Sequence, residues 1–138
     1  ENCPTLTFNN IARHQSKIVR TRVASNKSPW LSECNVGDIY NVAISHGEGK
    51  FLANDATIAE LIKNGQIATQ YVDLNGEATY DIDYNPNGSS LAIEGILSPD
   101  GRVIGKMGHS ERIANGLYKN VYGDYDIKMF KSAVKYFK

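Results

Sequence analysis

The sequence predicts an α/β domain: part of an open, mostly parallel sheet with flanking helices, and an antiparallel hairpin near the C-terminus. Three observations predict it. Strand-like segments outnumber helical ones, and their apolar runs are nearly continuous, as in sheets covered on both faces. Only two stretches carry the 3.6-residue period of an amphipathic helix, too few crossovers for a complete doubly wound domain. The chain is therefore expected to be part of such a domain, and its opening, ENCPTLTFNN, reads as a piece of something longer.

The elements follow from local pattern. TLTF (Thr5 to Phe8) reads as a short strand. KIVRTRVAS (Lys17 to Ser25) reads as a longer one in which Val19, Thr21 and Val23 share the buried face. Pro29 breaks the chain within NKSPWL, because proline disfavours helix at the preceding residue and lacks a donor. IYNVAIS (Ile39 to Ser45) is a third strand, followed by the turn-rich HGEGK. In NDATIAELIKNG, Asp55 or Thr57 can cap a helix whose face is Ile58, Leu61 and Ile62 and whose stop is Gly65. QIATQYVD is a strand and YNPNGSS is dense in turn formers. LAIEGILS and RVIGKMG are two strands joined at Pro-Asp-Gly. The terminal stretch 124–138 predicts a helix burying Ile127, Phe130, Val134 and Phe137.

Length, charge and cysteines narrow the classes. A chain of 138 residues fits one domain. Fifteen basic residues balance fifteen acidic ones, so no long-range field draws the molecule to nucleic acid or anionic lipid. No apolar run approaches the ~20 residues of a membrane span. Two cysteines, Cys3 and Cys34, do not make a disulfide framework, and a cytoplasmic setting is expected. The basic stretch Arg13 to Lys27 lacks interleaved aromatics and reads as a solvated face.

The chemistry-bearing candidates are few. In an extended segment His109 and Glu111, two apart in KMGHSER, point the same way, so the carboxylate can hold the imidazole. The same spacing also fits an ordinary surface histidine. SHGEGK (Ser45 to Lys50) is not a phosphate loop, because Ile44 stands where a glycine is needed and Phe51 where a hydroxyl is needed. It is either a plain turn or a backbone cradle in which Gly47 allows close approach of a ligand. His46, His109, Glu48 and Glu111 could form a metal site, but no His/Cys cluster with zinc spacing accompanies them, and no metal is expected. His14 reads as a surface histidine. Neither cysteine shows the helix terminus or neighbouring base that activates a thiol.

ISHGEGKF, NGQIATQYVD, YNPNGS, AIEGILSPDGRVIGKMGHSER and the terminal helix stand in the order found in the glutamine amidotransferase domain of phosphoribosylformylglycinamidine synthase. The earlier TLTFN and RHQSKIVRTRVASNKSPWL resemble it too, so the likeness spans nearly the whole chain. It implies a class I, triad-type glutaminase in which a cysteine thiolate attacks the glutamine amide. Ammonia then passes to an ATP- and Mg-dependent synthase part that converts formylglycinamide ribonucleotide to the amidine in de novo purine synthesis. The family's histidine falls on His109 and its glutamate on Glu111. Many relatives have proline between them, where this chain has Ser110, which should relax the backbone slightly. Ser45, His46, Gly47 and Glu48 fall on the segment that holds the glutamine head group, with Gly47 and Glu48 acting through main-chain atoms and Ser45 and His46 shaping the turn.

The family's nucleophile stands in an elbow of the type Gly-x-Cys-Asn-Gly-x-Gln, which these 138 residues do not contain. The expectation is thus the C-terminal portion of one glutaminase domain, with the thiol upstream of Glu1, no cofactor of its own, and no glutamine turnover when alone. Expected partners are glutamine and the synthase domain or subunit, with homo-oligomers possible through exposed sheet. The alternatives are a non-catalytic module that binds a synthase or another protein, and a metal hydrolase using His46, His109 and Glu111.

Overall fold

The computed structural model describes residues 3–125 and 127–138. Among these, the elements in chain order are β1 (Thr5–Thr7), β2 (Gln15–Val23), β3 (Ile39–His46), β4 (Lys50–Leu52), α1 (Asp55–Lys63), β5 (Ile67–Tyr71), β6 (Ile93–Leu97), β7 (Ile104–Lys106) and α2 (Met129–Phe137). Five strands form a sheet in the order β3-β2-β5-β6-β7, and β1 pairs with β4. Every ladder is antiparallel, which corrects the expected mostly parallel sheet. A parallel pair needs a crossover of a dozen or more residues lying over the sheet, whereas β6 and β7 are joined by residues 98–103 alone, and the longer link 24–38 between β2 and β3 also returns the chain antiparallel alongside itself. The C-terminal hairpin, expected as antiparallel, pairs Gly95 with Lys106 and Leu97 with Ile104.

Val19, Thr21 and Val23 of β2 are buried at 4%, 0% and 0% exposure, the face that the period of two predicts. β5 lies mid-sheet with all five residues buried. Of the largest fully covered side chains, Tyr71, Ile44 and Ile93 stand on the sheet, and Leu31 comes from the 3-10 turn Pro29–Leu31 between β2 and β3. Burial of each aliphatic one contributes about 1.5–3 kcal/mol.

The helices depart from the sequence reading in detail. Asn54, rather than Asp55 or Thr57, caps α1, its side chain accepting from Thr57 N at 2.8 Å. Leu61 is buried but Ile62 is exposed, so the buried stripe is narrower than expected. Gly65 ends the helix at φ +65°, a conformation only glycine adopts without strain. In the expected helix 124–138, Asp126 lies outside the described residues, and the helix begins at Met129. It buries Met129, Ser132 and Ala133, while Phe130, Val134 and Phe137 are half exposed or more. The docked side is mixed: Met129 joins the core around Leu31 and Cys34, Ser132 Oγ accepts from Glu33 N at 3.2 Å and donates to Lys128 O at 2.9 Å, and the exposed Lys135 pairs with Glu33 at 2.8 Å. Ile127, just before the helix, is buried as expected.

Two further expectations change. The turn-rich HGEGK leads straight into β4, which begins at Lys50. The basic stretch is not simply solvated, because its cations reach backbone carbonyls of neighbouring loops. Lys17 reaches Asp83 O (2.8 Å), Arg20 reaches Leu74 O (3.0 Å), Arg22 reaches Gly76 O (2.9 Å) and Lys27 reaches Asn64 O (2.9 Å).

The sheet curls. β3 and β7 stand at opposite ends of the strand order, yet the segment leaving β7 returns to β3, where His109 N donates to Ala43 O at 2.8 Å. Two residues away on the same outer side of β3, Asn41 N donates to Asp124 O at 2.7 Å. No described helix is long and apolar enough to cross a membrane.

Candidate active site

The curl brings the end of β3 against the segment after β7. His109 and Glu111 meet, Nδ1 lying 2.7 Å from Glu111 Oε1, but not along the expected extended backbone: Ser110 and Glu111 form a turn that Arg112 N closes by donating to His109 O at 3.1 Å. An ionised carboxylate only accepts, so Nδ1 carries a proton, and in the neutral ring Nε2 then holds the lone pair. Glu111 is held below the usual glutamate range, first by its own backbone N–H and then by the His109 ring. The imidazole is about a quarter exposed, and Glu111 engages Nδ1 alone, which leaves Nε2 out of that contact.

His46 stacks on His109, with ring centroids 5.2 Å apart and planes at 10°. Its Nε2 lies within hydrogen-bonding distance of the Met107 carbonyl, which can only accept, so Nε2 is the protonated nitrogen of a neutral ring. Burial is the main reason its pKa is lowered from 6.5, with the nearby His109 adding to the effect. The unfolded chain therefore binds a proton at His46 before the folded chain does as pH falls. The stability derivative with pH is then positive in this window, and stability is lost as pH drops below the unfolded value. The urea midpoint is expected to fall between pH ~7 and ~5, with a shallower fall in His46→Gln.

The turn Gly47–Gly49 is held from below. Asn9, 2% exposed, donates from Nδ2 to His46 O (2.6 Å) and Arg13 O (3.0 Å) and accepts from Gly49 N (3.0 Å), while its own N donates to Gly47 O (3.0 Å). Sequence reasoning missed this residue, and its only signal was an asparagine pair directly after a strand. The segment YNPNGS was missed in the same way. Asn85, Asn87 and Ser89 are fully buried, and Ser89 Oγ accepts from Phe51 N at 3.1 Å. A Cβ on Gly49 would come within 2.4 Å of Asn87 Nδ2, so the turn can rest on this segment only as glycine. A Cβ on Gly47 would meet nothing within 4 Å, and Glu48 is exposed, so the outer face of the turn is open. Ser45 Oγ lies 3.1 Å from His14 Nε2, which gives the expected surface histidine a partner at this end of β3.

The structure thus brings Ser45, His46 and the turn to one end of β3, with His109 and Glu111 beside them. Cys34 is elsewhere, packed at 2% exposure with Val23, Leu31, Tyr40 and Ile127. Among the described residues, no three His, Cys, Asp or Glu side chains converge in a way that could hold a metal ion.

The family described as the CobB/CobQ-like glutamine amidotransferase domain matches residues 1–137. The chain is 36% identical over 134 residues to phosphoribosylformylglycinamidine synthase subunit PurQ of Methanocaldococcus jannaschii, covering 97% of this chain and 56% of the relative. It is 34% identical to the subunit of the same name from Methanosarcina barkeri, covering 95% and 54%. Among solved structures, one titled "Structure of PurLQS from Thermotoga maritima" superposes with a TM-score of 0.71 at 25% identity, over 99% of this chain and 54% of that one. The chain spans about half the length of the curated relatives it matches.

Proposed function

The chain belongs to the CobB/CobQ-like glutamine amidotransferase family, and on that premise we propose that it supplies the acid–base half of a glutaminase site serving phosphoribosylformylglycinamidine synthase. His109 is the general acid/base, Glu111 orients it, and the Ser45–Glu48 segment holds the glutamine head group, Gly47 and Glu48 through their main chain. The observation that carries this reading is the His109–Glu111 contact, at 2.7 Å with the second ring nitrogen left out of it.

The nucleophile belongs to the family's cysteine elbow. In the proposed reaction Nε2 of His109 takes the thiol proton, and the thiolate attacks the side-chain amide carbon of glutamine. The resulting imidazolium then protonates the leaving nitrogen, which departs as ammonia. Water, deprotonated by the same nitrogen, attacks the thioester carbon; the C–S bond breaks, the expelled thiolate takes the proton back from the imidazolium, and glutamate is released. Glu111 accepts the Nδ1–H bond throughout and stabilises the charged ring. Ammonia passes to a synthase part that uses ATP and Mg, and this chain itself binds no cofactor in the reaction.

Neither Cys3 nor Cys34 stands in an elbow sequence. The 138 residues by themselves are therefore expected to release no ammonia from glutamine above the uncatalysed rate. The same residues joined to a relative's elbow-bearing segment should release it. Coupled ammonia detection on both proteins tests this. Turnover by the 138 residues alone that disappears in His109→Ala would overturn the division of labour, and an inactive joined protein that is folded would overturn the glutaminase reading.

A further inference from the structure

Among the described residues Glu94 is the most deeply buried charged group, its side chain fully covered near the start of β6. Its carboxylate is not merely neutralised. Oε2 accepts from Thr69 Oγ1, and Oε1 faces both Gly108 N and the Lys106 ammonium, the latter at 3.5 Å. Lys106 is almost as covered, and the same ammonium donates to Ser110 Oγ at 3.1 Å, Ser110 being 6% exposed. The two residues flanking His109 are thus both tied to one buried pair, Gly108 by its backbone N–H and Ser110 by its hydroxyl. Gly108 also permits the approach sterically, since a Cβ there would sit 2.8 Å from Glu94 Oε1 and 2.7 Å from both methyl groups of Val42.

We propose that the Glu94–Lys106 pair is a positioning clamp for His109, holding the peptide on either side of the imidazole so that its ring meets Glu111. A proline between histidine and glutamate stiffens the backbone by fixing φ, whereas Ser110 leaves that torsion soft. A hydroxyl tethered to a buried ammonium restores the stiffness through the side chain. Thr69, on the central strand, anchors the carboxylate from the other side. The proposal rests on reading His109 as the acid/base, although the geometry it describes can be measured without any reaction.

The test is the tautomer of His109, read from long-range nitrogen–proton NMR correlations of the three imidazoles in the whole chain. The wild-type ring should be predominantly Nδ1–H, the form the Glu111 contact selects. In Glu94→Leu/Lys106→Met, which removes both arms and leaves no charge stranded, the ring should shift toward the Nε2–H form that predominates in a free histidine. Adding Ser110→Pro to that pair should return the Nδ1–H form, a rescue that a purely structural role for the pair does not predict. Ser110→Ala, which cuts one arm without touching the buried carboxylate, should give a partial shift and decides the matter if the double variant does not fold. A wild-type tautomer in folded Glu94→Leu/Lys106→Met, or in Ser110→Ala where the double variant is unfolded, overturns the clamp. Ammonia release is not the readout, so the clamp can fail while the glutaminase reading stands, and the reverse.

Discussion

Replacing His109 with alanine, in a protein where a cysteine elbow completes the site, is expected to lower ammonia release from glutamine by ~10²–10⁴-fold. The direction follows from where the proton must go. The thiol is a weak nucleophile until a base takes its proton, and the leaving nitrogen is a poor leaving group until an acid returns one. Both transfers use Nε2, which stays out of the Glu111 contact. Because these transfers occur in the transition state and not in the bound ground state, kcat and kcat/KM should fall together while KM for glutamine stays nearly constant. His46 cannot substitute, since its Nε2 proton is committed to the Met107 carbonyl. Triad members act as a unit, so combining His109→Ala with loss of the thiol should add little to either change alone. A rate within tenfold of wild type would move the acid–base role to another residue.

The second large effect concerns stability. Glu94→Ala leaves the Lys106 ammonium buried without a counter-charge and strips an acceptor from Gly108 N and Thr69 Oγ1. Breaking a buried pair from one side costs about 3–5 kcal/mol, because the remaining charge keeps its desolvation penalty and loses its partner. Glu94→Gln/Lys106→Met should recover most of that loss. No charge is left unpaired, and glutamine retains an acceptor for the Gly108 N–H. Urea unfolding of the single and double variants measures the difference. A double variant as unstable as Glu94→Ala would show that packing at this position, and not the unpaired charge, sets the cost.

Much of the molecule was legible because period-two alternation and glycine-punctuated turns record local geometry directly. β2, with its buried Val19, Thr21 and Val23, and the β6–β7 hairpin are of this kind. The His109–Glu111 contact was legible only in its outcome, since the pair is brought together by a turn at Ser110 and Glu111 and not by the extended backbone from which the spacing was read. What the residues could not convey was which face each element would cover. Phe130, Val134 and Phe137 recur at helical intervals, yet α2 docks through Met129, Ser132 and Ala133, with Ser132 Oγ accepting from Glu33 N. Strand direction was equally hidden, since continuous apolar runs fit any strand covered on both sides, antiparallel ones included. The Glu94–Lys106 pair lies twelve residues apart across two strands, and it is brought together by the register of Gly95 with Lys106 combined with a register shift that leaves Glu94 as an extra residue opposite β5. Asn9 and the buried asparagines of YNPNGS were obscured by the habit of asparagine to mark exposed turns.

The bond from His109 N to Ala43 O has one more consequence. β3 is the outermost strand of its sheet, and such a strand offers a row of unsatisfied amides and carbonyls to any passing chain. The loop bearing the imidazole occupies part of that row, so a lesion that frees the loop also opens a template for strand addition. Variants that loosen it should therefore become prone to self-templated precipitation, which ties the solubility of the folded protein to the order of its reactive loop.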